Sequence, residues 1–411
     1  MFDYVNDFTQ MGYGMAIHWG LYSQMSQAEW CMSAQNIPIE EYEKLADTFT
    51  AKDFDPKFIA KQAKAAGMKF IILTTRHHDG YSLYDTKGLN KYDAVNTAPG
   101  RDLIKEFVDA CNEEGISPFF YHTTMDWWWE GESTSKIDEG KFEKYLDYLS
   151  RSVEILCANY GKIGGFIFDG NWCRSDLDWK DSQLYQMIKS YQPEAIIMNN
   201  TGLKDLGRVS APEIDAVCFE QHAVHKIEQG ERPIASMRWQ TVNDHWGDAM
   251  DDLNYKSIPK LLEDMVHTRK HGAVHILNIG LESQGAISIE DQAILHSISK
   301  WMEYYSEAFY NGRPCECKCS NNDFLLTDGE TGYYFAYEVG IDSPSNVGTD
   351  IRKGKINSVL NIDKKVKTIE WMDNQEEIQF IQDIDKKILS FKATPFLYGR
   401  NLHIRVAKLT F

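Results

Sequence analysis

Apolar residues in the first three quarters of the chain fall into short continuous runs. Between the runs lie longer stretches with an apolar residue at every third or fourth position. The runs are GMAIHWG (14–20), KFIILTTR (69–76), ISPFFYHT (116–123), IGGFIFDG (163–170), EAIIMNN (194–200), AVCFEQ (216–221), PIASMRW (233–239) and AVHILNIG (273–280). Their near-continuous hydrophobicity predicts strands buried on both faces, as in a parallel sheet. Amphipathic helical patterns separate many of them: DPKFIAKQAKAAG precedes the second run, RDLIKEFVDACNEEG the third and KFEKYLDYLSRSVEILCANYG the fourth. SIPKLLEDMVHTRKHG precedes the eighth. Glycines close several of these segments, as expected of helix C-caps. Alternating strands and helices over residues 1–313 predict an α/β fold, a (β/α)8 TIM-like barrel. The links between the fifth, sixth and seventh runs are too short or irregular for regular helices, so the barrel is expected to be imperfect there.

The pattern changes at Arg313-Pro314. Residues 314–411 carry short β-rich runs such as DFLLTD, TGYYFAYEV, INSVLNI, KKILSFKA and NLHIRVAKLTF, with turn residues between them. This predicts a small C-terminal antiparallel β-sandwich domain.

Composition narrows the function classes. Lys and Arg number 43 against 61 Asp and Glu, a net charge of −18. That balance argues against a broad nucleic-acid face and against adhesion to an anionic membrane. No apolar run reaches the ~20 residues that span a bilayer. MFDYVNDFTQMGYG lacks a basic region followed by an apolar one, so no signal peptide is expected. Several of the eight cysteines fall in core-like patterns. A reducing, cytoplasmic location is the simpler expectation. The Cys315, Cys317, Cys319 triplet resembles a metal motif. Neither a His nor a second Cys pair follows nearby, so no metal site is expected.

Barrel chemistry sits at the C-terminal strand ends. Those ends carry His18 and Trp19, His77 and His78, Tyr121 and His122, Asp169, Asn199 and Asn200, Glu220, Trp239 and Asn278. Asp169 and Glu220 each terminate an apolar run, where a buried carboxyl needs a partner. Two carboxyls at one mouth point to glycoside hydrolysis, and aromatic groups such as Trp239 suit the apolar faces of a sugar. Metal-dependent hydrolysis through His77, His78 and Asp169 is disfavoured, because adjacent strand residues point to opposite faces. No GxSxG supports a serine nucleophile.

The motifs GMAIHWGLYS, AEW at 28–30, LTTRHHDGYSLYDT at 73–86, FIFDGNW at 166–172, RWQTVNDHWG at 238–247 and LNIGLESQG at 277–285 resemble glycoside hydrolase family 29, the α-L-fucosidases. The resemblance runs from about residue 11 to 314. It implies a retaining exo-glycosidase acting on fucosylated oligosaccharides or glycosides, with no cofactor and no metal. Asp169 would be the nucleophile. His18, Glu29, Trp30, His77, His78 and Tyr121 would hold the fucose; Glu29 and Trp30 come from the resemblance alone. For the acid/base, Glu220 is preferred to Glu213, which precedes its strand. The sequence departs from the family pattern at Ile167, where Trp is frequent, and at Gln240, where Glu is usual. MNNTG stands where an arginine is often found, with Arg208 and Arg238 as candidate replacements. A different glycone, such as an α-galactoside, and a non-catalytic carbohydrate-binding relative are the alternatives.

Overall fold

The computed structural model describes the chain except residues 1–2, 131–138, 226, 228–231, 349–350 and 353. The chain forms two compact units. One comprises Met1–Lys256 with Ala273–His296, the other Ser257–Gly272 with Ser297–Phe411.

In the first unit, eight described strands close a parallel barrel in chain order. They are β1 Tyr13–His18, β2 Phe70–Arg76, β3 Ser117–Thr123, β4 Gly165–Asp169, β5 Ile196–Asn199, β6 Ala216–Glu220, β7 Ala235–Thr241 and β8 Val274–Gly280. The expected (β/α)8 barrel is therefore present. Its strands are buried almost throughout, which is why they read as continuous apolar runs. Helices Pro56–Ala65 and Leu103–Glu114 start where Asp55 and Asp102 accept the backbone N–H groups of Phe58 and Lys105, a side-chain cap on an otherwise orphan donor. Among the described residues no helix separates β5 from β6 or β6 from β7, so the outer layer is incomplete where expected. The helix Asp3–Met11 was not anticipated. Its Phe8 packs on Phe70 and Phe119, with ring centroids 5.5 and 5.7 Å away, and together with Val5 it joins the barrel's interior cluster.

In the second unit, β9 Arg313–Pro314, β10 Lys318–Cys319, β11 Phe324–Thr327 and β12 Thr331–Ala336 come first. Then follow β13 Lys355–Leu360, β14 Thr368–Trp371, β15 Phe380–Asp383, β16 Ile388–Ala393 and β17 Arg405–Thr410. Among the described residues they form sheets of order β14-β17-β12-β11-β9 and β10-β13-β16-β15. All pairings described within both sheets are antiparallel, and a shared cluster that includes Tyr334, Trp371, Leu389 and Leu409 fills the interior. This is the expected sandwich. Arg405 is fully buried in it. Its guanidinium makes a two-pronged contact with Asp373, at 2.8 and 3.2 Å, and lies 4.2 Å from the Trp371 ring centroid. Arg405→Ala leaves Asp373 buried without that partner and is expected to cost about 3–5 kcal/mol, read as a lower urea midpoint. Arg405→Lys keeps the charge but not the fork and should recover only part of it.

Candidate active site

Strand ends bring the polar residues together. A cavity of about 640 Å³ at this end of the barrel is lined by His18, Glu29, Trp30, His77, Asp169, Glu220 and Trp239, with Trp172, Asn200 and Trp246 between them. Tyr121 and His78 stand against Asp169: the Tyr121 hydroxyl donates to Oδ2 at 2.8 Å, and His78 Nε2 lies 3.6 Å from the same oxygen. All nine sequence-derived candidates thus converge. A second cavity of about 470 Å³, lined by residues such as Tyr92, Trp128 and Tyr148, holds neither Asp169 nor Glu220.

Asp169 ends β4, and the chain must turn sharply after it. Gly170 takes φ +109°, and a Cβ there would lie 2.9 Å from Met125 Cβ and 3.2 Å from His78 Cε1. Only glycine fits both the conformation and the space. The turn carries Trp172 back over the carboxyl, where its Nε1 donates to Asp169 Oδ1 at 2.7 Å. Asn200, just past β5, supplies the third donor. One nitrogen, Nδ2, reaches Asp169 Oδ1 at 3.0 Å and Glu220 Oε2 at 2.8 Å. The Asn200 orientation is set from its other end, since Oδ1 accepts the Gly202 N–H at 3.1 Å. Asp169 is therefore held by three donors, one on β3, one on the turn after β4 and one just past β5, and one amide ties it to Glu220. Burial, followed by the Asp169 charge, pushes Glu220 up to about 7, against the Asn200 hydrogen bond, which pulls it down. A carboxyl in that state can deliver a proton near neutral pH.

The histidines are neutral acceptors or donors. Burial lowers His18 and His78 to about 4 and His77 well below its usual range. Asn278 donates through Nδ2 to the Trp246 carbonyl at 2.7 Å, so its Oδ1 accepts from His18 Nδ1 at 2.6 Å. That leaves His18 Nε2 as an acceptor. Contrary to the strand alternation expected for them, the His77 and His78 rings lie 4.2 Å apart. The strand ends at Arg76, and a turn closed by the Gly80 N–H on the His77 carbonyl begins there, so alternation no longer applies. Among the described residues no group of three or more His, Cys, Asp or Glu could hold a metal ion. Glu29 Oε2 accepts the backbone N–H groups of Trp246 and Gly247 at 3.2 and 2.8 Å. Burial raises its carboxyl despite them. Trp30 stands edge-on to His78 and Trp127, each 5.1 Å away, and Trp239 lies 5.6 Å from His18.

Other strand-end residues go elsewhere. His122 is bonded to Thr75 and Ser152, Trp19 stacks on Phe54, and Asn199 donates to Ser210. Glu213 is on the loop before β6, accepting from Ser182 at 2.9 Å and Gln186 at 2.8 Å, and is not among the cavity residues. Of the two arginines considered as replacements, Arg208 lines the cavity, paired with Asp205 at 2.6 Å, and Arg238 does not line it. Ile167 is in the barrel's interior cluster beside Trp239. The sequence reading missed Trp172 as a site residue and gave Asn200 no special role. The available signal was proximity: Trp172 follows Asp169 by three residues, and Asn200 directly follows the neighbouring strand.

Residues 3–307 match the α-L-fucosidase family. The chain is 23% identical over 347 residues to the tissue α-L-fucosidase of Rattus norvegicus, spanning 78% of this chain and 72% of that protein. It superposes on α-L-fucosidase isoenzyme 1 of Paenibacillus thiaminolyticus with a TM-score of 0.81 and 28% identity, covering 99% and 98% of the two chains. A family 29 α-L-fucosidase of Bacteroides thetaiotaomicron, solved as a trapped covalent intermediate, shares the fold at TM-score 0.81 and 22% identity, with 99% and 96% covered. With its barrel and match over most of its length, the chain belongs to the α-L-fucosidase family of glycoside hydrolases, family 29.

Proposed function

We propose that the protein is a retaining, exo-acting α-L-fucosidase that releases terminal fucose from oligosaccharides or glycosides by double displacement. Asp169 is the nucleophile and Glu220 the general acid/base. One observation carries the mechanism. Two oxygens bonded to the Asn200 nitrogen at 3.0 and 2.8 Å are at most about 5.8 Å apart, which suits the ~5–5.5 Å of retaining enzymes and falls short of the ~6.5–9.5 Å of inverting ones. In the first step Asp169 attacks the anomeric carbon while Glu220 protonates the departing oxygen. In the second, Glu220 takes a proton from water, which displaces Asp169. His18, Glu29, His77 and His78 bind the sugar hydroxyls, and Trp30, Tyr121 and Trp239 pack on the ring and methyl group. Trp239 lines the cavity and belongs to the barrel's core cluster, an apolar wall that supports exo action on one terminal residue. No cofactor takes part. In the cytoplasmic setting proposed from the cysteines, the substrates are short imported oligosaccharides. We keep residues 1–313 as the proposed catalytic domain and 314–411 as the proposed C-terminal one.

The pairing of a proton-donating carboxyl with Asp169 argues against a non-catalytic sugar binder. Turnover of an aryl α-L-fucoside, with aryl α-galactoside turned over far more slowly, is the expected result. NMR should show the α-anomer of fucose first. Binding without turnover, or a first-formed β-anomer, would overturn the proposal.

Asn200 offers a separate check. Removing its amide in Asn200→Ala takes away the bond that lowers Glu220, so the basic limb of the kcat/KM profile should move to higher pH. The released carboxyls should also drift, at a cost of ~10²-fold in kcat for a displacement of about 1 Å. A profile that moves to lower pH would contradict the bridging role.

A further inference from the structure

The Cys315–Cys319 triplet takes no part in the proposed chemistry, yet its placement is specific. Residues 313–319 run along one edge of the sandwich. Arg313 and Pro314 pair with β11 in one sheet, and Lys318 and Cys319 pair with β13 in the other. The segment therefore crosses from one sheet edge to the other. Along it Cys315, Cys317 and Cys319 are half-buried, while Pro314, Glu316 and Lys318 are exposed. The three thiols share the inner face and pack against the sandwich core.

Cys315 Sγ donates to the Leu325 carbonyl at 3.3 Å, and Cys317 Sγ to the Asn361 carbonyl at 3.6 Å. A straight strand sets residues two apart about 6.6 Å from each other, near the upper limit of ~6.8 Å for Cα atoms joined by a disulfide. The chain bends at Glu316, which shortens that span. Cys31, Cys111, Cys157 and Cys218 are buried, where oxidants reach poorly, and Cys173, on the turn after Asp169, is exposed but has no second cysteine within two residues.

We propose that Cys315 and Cys317 form a redox-active dithiol, which a peroxide closes to a disulfide and a thiol reductant reopens. The Cys315 thiolate attacks the peroxide, gaining one oxygen as the sulfenic acid while hydroxide leaves. The Cys317 sulfur then attacks that sulfur, forms the S–S bond and expels the oxygen as water. In sum two thiols and one hydrogen peroxide give one disulfide and two waters. The neighbouring Cys317 thiol holds Cys315 below the ordinary thiol range, which favours Cys315 as the attacking sulfur. The ring so closed is very short and removes little chain entropy, so the bond is labile rather than structural. The inference stands apart from the fucosidase proposal.

The test uses the reduced full-length protein. Stoichiometric hydrogen peroxide should remove two of its eight thiols, and peptide mass mapping should show Cys315 and Cys317 two hydrogens lighter and restored by dithiothreitol. Phenylarsine oxide, which bridges closely spaced thiols, should bind once per chain and protect the same pair. Cys315→Ser and Cys317→Ser should each abolish arsenical binding, and Cys319→Ser should leave it. Sulfinic acid on Cys315 without pairing, a disulfide to Cys319, or arsenical binding retained in Cys315→Ser would overturn the proposal. Mapping of the unsubstituted protein decides the matter even if a variant fails to fold.

Discussion

Asp169→Gly lowers kcat on aryl α-L-fucoside by ~10⁴-fold or more, with the fold intact. The size of the loss follows from the role. The carboxyl is the only group that the proposal brings to the anomeric carbon, and its three donors, Tyr121, Trp172 and Asn200, orient it without being able to replace it. Stability should hold or rise, because removing one of two apposed carboxyls relieves repulsion at a site built for chemistry. The glycine variant leaves a space ringed by those donors. Azide supplied there should attack in place of the carboxylate and yield β-fucosyl azide, with partial return of turnover. Asp169→Asn fills the space, so it should show the loss without the rescue. Near-normal turnover by Asp169→Asn would remove the nucleophile from the account.

Glu220→Gln is the second large effect, and its size depends on the substrate. Fucosides with poor leaving groups should slow by ~10²–10⁴-fold, and activated aryl fucosides much less, because their departure needs little proton transfer. The sign of the pH effect is set by burial and by Asp169, which raise Glu220 to about 7. The acid is protonated below that value, so native activity falls as pH rises through it. The basic limb should flatten in Glu220→Gln. Glu213→Gln should leave both the leaving-group dependence and the limb as they are, since Glu213 is held by Ser182 and Gln186 before β6. The reverse pattern would transfer the acid/base role to Glu213.

The barrel was legible because its strands are buried on both faces, so each read as an apolar run. Asp169 and Glu220 stood out because a carboxyl ended such a run. The helix Asp3–Met11 was not legible: its only fully buried residues are Val5 and Phe8, too few to mark a period. The sandwich strands rich in apolar residues, such as β12 and β17, were visible. The two-residue β9 and β10 and the largely half-exposed β15 were not. Glu29 and Trp30 lie in the loop after β1, where no periodicity operates, and only the family resemblance reached them. The bridging role of Asn200 was invisible for a different reason. It depends on where β4, β5 and β6 end in space, and a linear pattern does not carry that distance.

Trapping the intermediate tests the central claim most directly. The Glu220→Gln variant is treated with 2-fluoro-fucosyl fluoride, whose good leaving group allows the first step while the fluorine at C2 slows the second. The account predicts that intact mass rises by one fluorofucosyl group and that peptide mapping places it on Asp169. Label on another carboxyl, or turnover with no label at any time, would contradict it.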